Sequence, residues 1–262
     1  MCLLVFAHRM RGDYPCVIAA NRDEQYARAS APLQLWADQP QICAGRDLEQ
    51  GGTWLGATTS GRFAALTNFR SGAPRAGAES RGRVVLDFLR SSEPPERHLA
   101  QLAQLAERYA GFSLIAGALG EDAYYFSNRG GAAQKLEPGL YGLSNQGLDT
   151  PWPKVVRGKR RVAEIVSARE LDADPLCDAL LDRSVPPDAE LPDTGIGLDA
   201  ERRLAPCFIA GEHYGTRAVT AVLLGVERPS VMMERSYGPR GVHLSSARQS
   251  FAVTVARRSP AF

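Results

Sequence analysis

Two stretches, Cys2-Leu-Leu-Val-Phe-Ala-His8 and Cys16-Val-Ile-Ala-Ala-Asn-Arg-Asp-Glu24, decide how this chain begins to fold. Their apolar runs, 3–7 and 17–20, flank a polar segment that is rich in turn-forming residues around Gly12. Two short apolar runs around a glycine-containing turn predict a β-hairpin. With the turn centred near Gly12, the numbers of paired residues add to about 24, within about 2. The hairpin therefore places Cys2 beside Arg22.

Side chains alternate along the second strand of this hairpin. Asn21 and Asp23 are therefore expected on one face of the strand, and Arg22 on the other. The predicted hairpin brings a thiol, a guanidinium and a carboxyl group to one end of a sheet.

Cys2 has the features of a nucleophile that carries its own base. Met1 precedes a small residue, and methionine aminopeptidase usually removes such a methionine, which would leave Cys2 with a free α-amine. The pKa of an α-amine is about 7.7 to 8.0, so this amine can accept a proton near neutral pH. Arg22 would favour the thiolate, and Asp23 could hold the ammonium form. The alternative is that Cys2 is a small apolar residue that opens a buried strand.

The string Asn21-Arg22-Asp23-Glu24 after the Cys2 hairpin resembles the NRDE family, which includes the transport and Golgi organisation 2 proteins. Further blocks follow the order of that family along nearly the whole chain: Gly45-Arg46-Asp47-Leu48, Gly51-Gly52-Thr53-Trp54-Leu55-Gly56, Ala65-Leu66-Thr67-Asn68-Phe69-Arg70, Ser80-Arg81-Gly82, Gly142-Leu143-Ser144-Asn145, Asp149-Thr150-Pro151-Trp152-Pro153-Lys154 and Tyr214-Gly215-Thr216-Arg217. The resemblance implies an N-terminal-nucleophile hydrolase fold. This fold is an α+β, four-layer αββα sandwich of two antiparallel sheets flanked by helices. The resemblance brings no settled biochemical activity.

Three further polar residues are candidates for the same site. A thiolate that attacks a carbonyl needs donors for the developing oxyanion. Asn145 follows a predicted strand, in a segment similar to the one that holds an oxyanion-hole asparagine in the choloylglycine hydrolase and penicillin V acylase branch of the fold. Asn68 ends another strand and could be a second donor, and Arg217 resembles an arginine that those enzymes keep near the nucleophile. The alternatives are asparagines that bond backbone at strand ends, and an arginine in a salt bridge.

The apolar patterns predict strands, helices, strands, helices and strands in that order. This order differs from βαβ alternation and suits an αββα architecture. The predicted strands are 41–44, 53–57, 62–68, 112–119, 123–127, 140–144, 218–224, 231–236 and 251–255, and the predicted helices are 81–90, 98–109, 153–168 and 174–181. Segments 71–80 and 186–200 are expected to be loops, and Pro32 argues against a long regular element within 25–37.

Composition limits the class of protein. The 262 residues, 44% of them hydrophobic, suit one domain over 1–262, and the net charge of +2 with mixed signs argues against nucleic acid as a partner. Five scattered cysteines suggest reduced thiols in a cytoplasmic setting, and no apolar run is long enough for a transmembrane helix. The four histidines lack metal-ligand spacing, so we expect no metal, and His98 is expected at the surface.

Two functions follow from these observations. The first is hydrolysis of an amide or thioester bond of a small acyl substrate through Cys2, with Arg22, Asp23, Asn68, Asn145 and Arg217 in support and no required cofactor. The second is a non-catalytic protein on the same fold that binds and transports an apolar ligand. The resemblance implies haem, a lipid or an acyl-CoA as that ligand.

Overall fold

The computed structural model describes residues 2–70 and 79–254, without the side chain of Cys2. Its strands form a six-stranded and a seven-stranded antiparallel sheet. The six-stranded sheet contains β1 (Cys2–His8), β2 (Cys16–Gln25), β10 (Gly139–Leu143), β11 (Tyr214–Leu224), β12 (Ser230–Tyr237) and β13 (His243–Phe251), in the order β10-β1-β2-β11-β12-β13. The seven-stranded sheet runs in chain order through β3 (Ser30–Trp36), β4 (Gln39–Asp47), β5 (Leu55–Thr58), β6 (Arg62–Asn68), β7 (Phe112–Ala118), β8 (Ala123–Ser127) and β9 (Gln134–Leu136).

Helices cover the outer face of each sheet. Helices α1 (Gly82–Arg90) and α2 (Pro95–Leu105) pack on the seven-stranded sheet, and α3 (Pro153–Val166) and α4 (Ala173–Asp178) pack on the six-stranded sheet. A further short helix, α5 (Leu198–Leu204), precedes β11. Pro153 opens α3 at its first position, where the missing N–H of proline costs nothing.

Three apolar cores separate the four layers. Leu3 and Val5 of β1 face α3 and α4, whereas Leu4 and Phe6 of the same strand lie between the two sheets. The third core joins the other face of the seven-stranded sheet to α1 and α2. Because successive residues of β1 serve different cores, the strand is apolar without a break. The expected α+β, four-layer αββα sandwich is confirmed.

The first hairpin has the register that the sequence predicts. Cys2 pairs with Arg22 and His8 pairs with Cys16, so the paired numbers add to 24. On its other side β2 pairs with β11, where Thr216 lies opposite Asp23. The strand that carries Asn21 to Glu24 is therefore interior to the sheet, with neighbours on both edges.

Several sequence-based boundaries are wrong. Segment 25–37 contains β3, whose proline is tolerated because this strand lies at the sheet edge. The last strand covers His243–Phe251 rather than 251–255, and its polar, exposed residues gave no apolar signal. The expected loop 186–200 includes the start of α5, and most of segment 71–80 lies outside the described residues.

His98 was expected at the surface, and this is also wrong. It is half-buried on α2 and packs edge-on against Phe88, with 5.1 Å between the ring centroids. Within 2–70 and 79–254, no helix combines the length and the apolar character that a membrane-spanning helix requires.

Candidate functional site

Asp23 is a buried carboxyl group on the helix-facing side of β2. Its Oδ1 accepts a hydrogen bond of 2.6 Å from the Thr216 hydroxyl, and that hydroxyl accepts one of 2.9 Å from the Ile209 amide. The Tyr214 hydroxyl donates to the Asp23 backbone carbonyl at 3.2 Å. Burial raises the pKa of Asp23, and the positive charge of Lys154 acts in the opposite direction. The carboxyl is thus held in one orientation by its neighbouring strand.

Asn21 and Glu24 of the same motif have other contacts. The Asn21 amide donates to the carbonyls of Leu180 and Cys207, at 3.1 and 2.7 Å. These bonds tie β2 to the segments that cover its helix-facing side. The Glu24 carboxylate lies 3.9 Å from the Arg22 guanidinium. Asn21 therefore fixes the position of β2, whereas Glu24 contributes a negative charge beside Arg22.

Arg22 points to the other face of the strand, as alternation predicts. Its guanidinium lies over the ring of Trp54, 4.3 Å from the centroid, and 3.9 Å from the carboxylates of Glu24 and Asp47. Asp47 makes its shorter contact, 2.8 Å, with Arg28. The Trp54 ring needs a glycine beside it, because a Cβ at Gly45 would lie 2.5 Å from it. The close approach of Gly45 therefore leaves room for the Trp54 ring beside Arg22.

The two asparagines meet across the sandwich. Asn68 ends β6, and Asn145 is the second residue after β10 in the other sheet. The Asn145 amide donates to the Asn68 backbone carbonyl at 2.8 Å, and the Asn145 carbonyl accepts from the Arg70 amide at 2.8 Å. Asn145 is fully buried and joins the ends of two strands from different sheets.

Arg217 is the extra residue of a bulge between Thr216 and Ala218. Its guanidinium donates to the backbone carbonyl of Gln25, the last residue of β2, and to that of Arg28, which lies shortly after the strand. Among the residues that the structure describes, Arg217 forms no ion pair with a carboxylate. The alternative of a salt bridge at this position is therefore not observed in that part of the chain.

One cleft contains three of the six candidate residues. It has a volume of about 330 Å³, and its lining includes Arg22, Asp23, Trp54 and Asn68. Arg217 instead lines a neighbouring cavity of about 190 Å³, which also contacts Arg22 and Trp54. The side-chain amide of Asn145 is bonded to the backbone carbonyl of Asn68. For Cys2 the structure gives the backbone position, opposite Arg22 at the start of β1.

The sequence did not single out Thr216, Tyr214 and Lys154 as parts of the site. Thr216 and Tyr214 contact Asp23, and the buried ammonium of Lys154 donates to the Leu204 carbonyl at 3.1 Å. All three lie in sequence blocks that resemble the family, and this resemblance is the feature of the sequence that could have pointed to them. Within the described ranges no three His, Cys, Asp or Glu side chains are grouped as a metal site would require.

Comparison with known proteins decides the family. The family model "Transport and Golgi organisation 2" matches residues 1–239. The transport and Golgi organization protein 2 homologs of Bos taurus and Homo sapiens are each 35% identical to the chain over 256 residues, which cover 90% of the chain and 93% of either homolog. The chain belongs to the transport and Golgi organisation 2 family. The Drosophila melanogaster protein of this family is 27% identical over 264 residues, which cover 90% of the chain and 92% of that protein.

Comparison with solved structures identifies the fold of this family member. Penicillin V acylase from Agrobacterium tumefaciens superposes with a TM-score of 0.52 at 11% identity, over 90% of this chain and 83% of the acylase. A C2A mutant of the conjugated bile acid hydrolase from Clostridium perfringens superposes with a TM-score of 0.51 at 8% identity, over 99% and 100% of the two chains. The sandwich is therefore the N-terminal-nucleophile hydrolase fold, and at these identities the likeness extends to the fold alone.

Proposed function

We propose that this family member is an N-terminal cysteine hydrolase, a single domain over 1–262, that cleaves an amide or thioester bond of a small acyl substrate. The observation that carries the proposal is the register of the first hairpin. It sets Cys2 opposite Arg22, and the next residue after Arg22 is Asp23, whose carboxyl group is buried. A strand end that holds these three residue types next to a cleft suits an activated thiol.

The proposed reaction begins once Met1 has been removed. The α-amine of Cys2 takes the thiol proton, and the thiolate attacks the acyl carbonyl. Arg22 favours the thiolate, and Asp23 holds the ammonium that forms. The ammonium then gives its proton to the departing amine or thiol, which leaves an acyl group on the sulfur. Water hydrolyses this thioester and restores the free thiol.

The tetrahedral intermediate needs hydrogen-bond donors for its oxyanion. The Asn68 side-chain amide, at the wall of the cleft, supplies the first donor in this proposal. The Asn145 amide gives one N–H to the Asn68 carbonyl and keeps a second N–H for the oxyanion. Arg217 has a positioning role, because its bonds to the Gln25 and Arg28 carbonyls fix the chain that leaves β2.

The lining of the cleft favours a polar reacting group over a stored apolar ligand. Charged residues form much of it, among them Arg22, Glu24, Arg28 and Asp47. Burying an apolar ligand against such groups would remove them from water without compensation. The proposal needs no cofactor, and it includes a reducing, cytoplasmic setting, which the free and buried Cys16, Cys43, Cys177 and Cys207 favour.

A second function rests on a different cavity. A space of about 390 Å³ has a mainly apolar lining, with charged side chains also present: Leu204, Pro206, Phe208, Ile209 and Tyr214, together with Arg183, Arg203 and Glu212. A mainly apolar cavity with charged groups in its lining suits a carrier of haem, of a lipid or of the acyl part of an acyl-CoA. A haem titration that leaves the Soret band of free haem unchanged would count against the haem version.

Replacing Cys2 tests the first proposal. We expect Cys2→Ala to abolish turnover of acyl amides and thioesters with little change in melting temperature, because the change removes one sulfur atom. Cys43→Ala is the matched control, since Cys43 is a free, buried thiol in the other sheet whose pKa burial raises to about 12. That variant should be less stable and still turn over substrate. Undiminished turnover by Cys2→Ala would exclude the proposed mechanism.

A further inference from the structure

A row of directly paired residues crosses the six-stranded sheet from Cys2. It runs through Arg22, Ala218, Ser236 and Ser245, each opposite the next on adjacent strands. Directly paired residues project from the same face of a sheet. The cavity of about 190 Å³ lies over this row and is lined by its last four residues. This cavity of about 190 Å³ therefore lies along the same row of paired residues as Cys2.

Arg22 reaches this cavity with an unusual set of partners. Its side chain is 6% exposed, yet it makes no hydrogen bond to another described residue. Its nearest carboxylates, on Glu24 and Asp47, are 3.9 Å away. A charge-assisted hydrogen bond between a guanidinium and a carboxylate is about 2.7 to 2.9 Å long. The donor positions of this buried guanidinium are therefore not matched by short bonds within the described chain.

Arg217 brings a second guanidinium to the same cavity. It is half-buried and donates to backbone carbonyls rather than to a carboxylate. Burial lowers the pKa of Arg217, and the nearby positive charge of Arg22 lowers it further. Two like charges that face one confined space repel each other unless an anion lies between them. The cavity thus has the electrostatic character of an anion site.

The remaining polar groups of the cavity fit this reading. Glu234 also lines it, but its two oxygens accept hydrogen bonds from the Leu33 amide and the Thr220 hydroxyl, at 2.9 and 3.0 Å. Burial raises the pKa of Glu234, whereas these two hydrogen bonds and the positive charge of Arg22 lower it. Three serine hydroxyls line the cavity without a hydrogen bond to another described residue: those of Ser30, Ser236 and Ser245. They are available as donors.

We propose that this cavity binds an oxyanion, a carboxylate or a phosphate group, held between Arg22 and Arg217 with serine hydroxyls donating to its other oxygens. Guanidinium groups and hydroxyls are the donors that such anions prefer. The consequence for the substrate rests on the proposed hydrolase function. Adjacent strands are about 4.8 Å apart, so the residues two to three strands from Cys2 lie roughly 10 to 15 Å away. The substrate would then carry an anionic group at that distance from its scissile carbonyl.

Binding of the anion alone tests the proposal. We would titrate the full chain with inorganic phosphate and, separately, with acetate, using calorimetry and melting temperature against chloride at equal ionic strength. The chloride control removes the effect of screening, and a ligand that binds the folded state raises its melting temperature. We expect saturable binding of at least one of the two anions, and the anion that saturates identifies the group. Saturation by neither would overturn the proposal.

Two serines of the same strand supply a matched pair of variants. Ser245→Asp adds a negative charge at the cavity, and it should weaken binding at least tenfold. Ser250→Asp adds the same charge at an exposed position of β13 outside the lining, and its binding should match the wild type. Equal binding by the two variants would contradict the site. Arg217→Gln, where it remains folded, should also weaken binding at least tenfold, and wild-type binding by it would contradict the role of Arg217.

The same titration on Cys2→Ala separates this proposal from the hydrolase proposal. Saturable binding by that variant supports the oxyanion site whether or not the wild type turns over acyl substrates. A wild type that binds the anion without turnover would refute the hydrolase function alone. A wild type with turnover but without anion binding would refute the oxyanion site alone.

Discussion

The hydrogen-bonded chain from Ile209 through Thr216 to Asp23 can be broken with a single substitution. Thr216→Val keeps the shape of the side chain and replaces its hydroxyl with a methyl group. The change removes the 2.6 Å bond to the Asp23 carboxyl and leaves the Ile209 amide without its acceptor at 2.9 Å. A hydrogen bond to a charged group contributes about 1.5 to 3 kcal/mol, and an unsatisfied buried amide costs about 1 to 3 kcal/mol. We therefore expect a loss of about 2.5 to 6 kcal/mol in the free energy of unfolding.

Thr220→Val is the matched control on the same strand. Thr220 is also buried, and its hydroxyl makes one bond, of 3.0 Å, to the carboxyl group of Glu234. Its loss should be about 1.5 to 3 kcal/mol. Urea denaturation of both variants, followed by circular dichroism, measures the difference. If Thr216→Val loses no more stability than Thr220→Val, the hydroxyl of Thr216 does not hold Asp23 as argued.

Three further perturbations have defined outcomes. Burial lowers the pKa of His8 from 6.5 to about 4, so the free energy of unfolding should fall as the pH falls through that interval. His8→Phe should reduce this pH-dependent loss by up to about 3 kcal/mol. Urea midpoints of wild type and variant that change in parallel from pH 7 to 4 would contradict this. Glu201→Gln removes the carboxylate charge that contacts the buried guanidinium of Arg70 at 2.5 Å. The cost should be about 3 kcal/mol, and an unchanged melting temperature would exclude it. Gly52→Ala would place a Cβ 2.5 Å from the backbone at the start of α1 and should cost about 1 to 3 kcal/mol, whereas Gly12→Ala has nothing within 4 Å and should be nearly neutral in the same unfolding assay.

The N-terminal half of the site could be predicted from the sequence for local reasons. A single turn and two apolar runs determine the register of the first hairpin, so the pairing of Cys2 with Arg22 needed no distant contact. Alternation along one strand then separated Arg22 from Asn21 and Asp23. The hydrogen bonds and cation–π contact of these side chains bear this out.

The partners of these residues depend on contacts between distant parts of the chain. Thr216 is 193 positions from Asp23, and only the pairing of β2 with β11 brings them together. Asn145 could be chosen as a strand-end amide, but its bond to the Asn68 carbonyl requires that two different sheets be stacked in one register. The edge strand β13 is held by backbone pairing to β12, and its polar side chains gave no apolar pattern to read.

The intact mass of the purified protein tests the central claim most directly. The proposed mechanism uses the α-amine of Cys2 as the base, and this amine is free only after Met1 has been removed. We predict a mass that lacks one methionine residue, together with an added acyl group when the protein is mixed with an acyl thioester and quenched in acid. A mass that retains Met1 would contradict the mechanism, because the amine of Cys2 would then lie within a peptide bond.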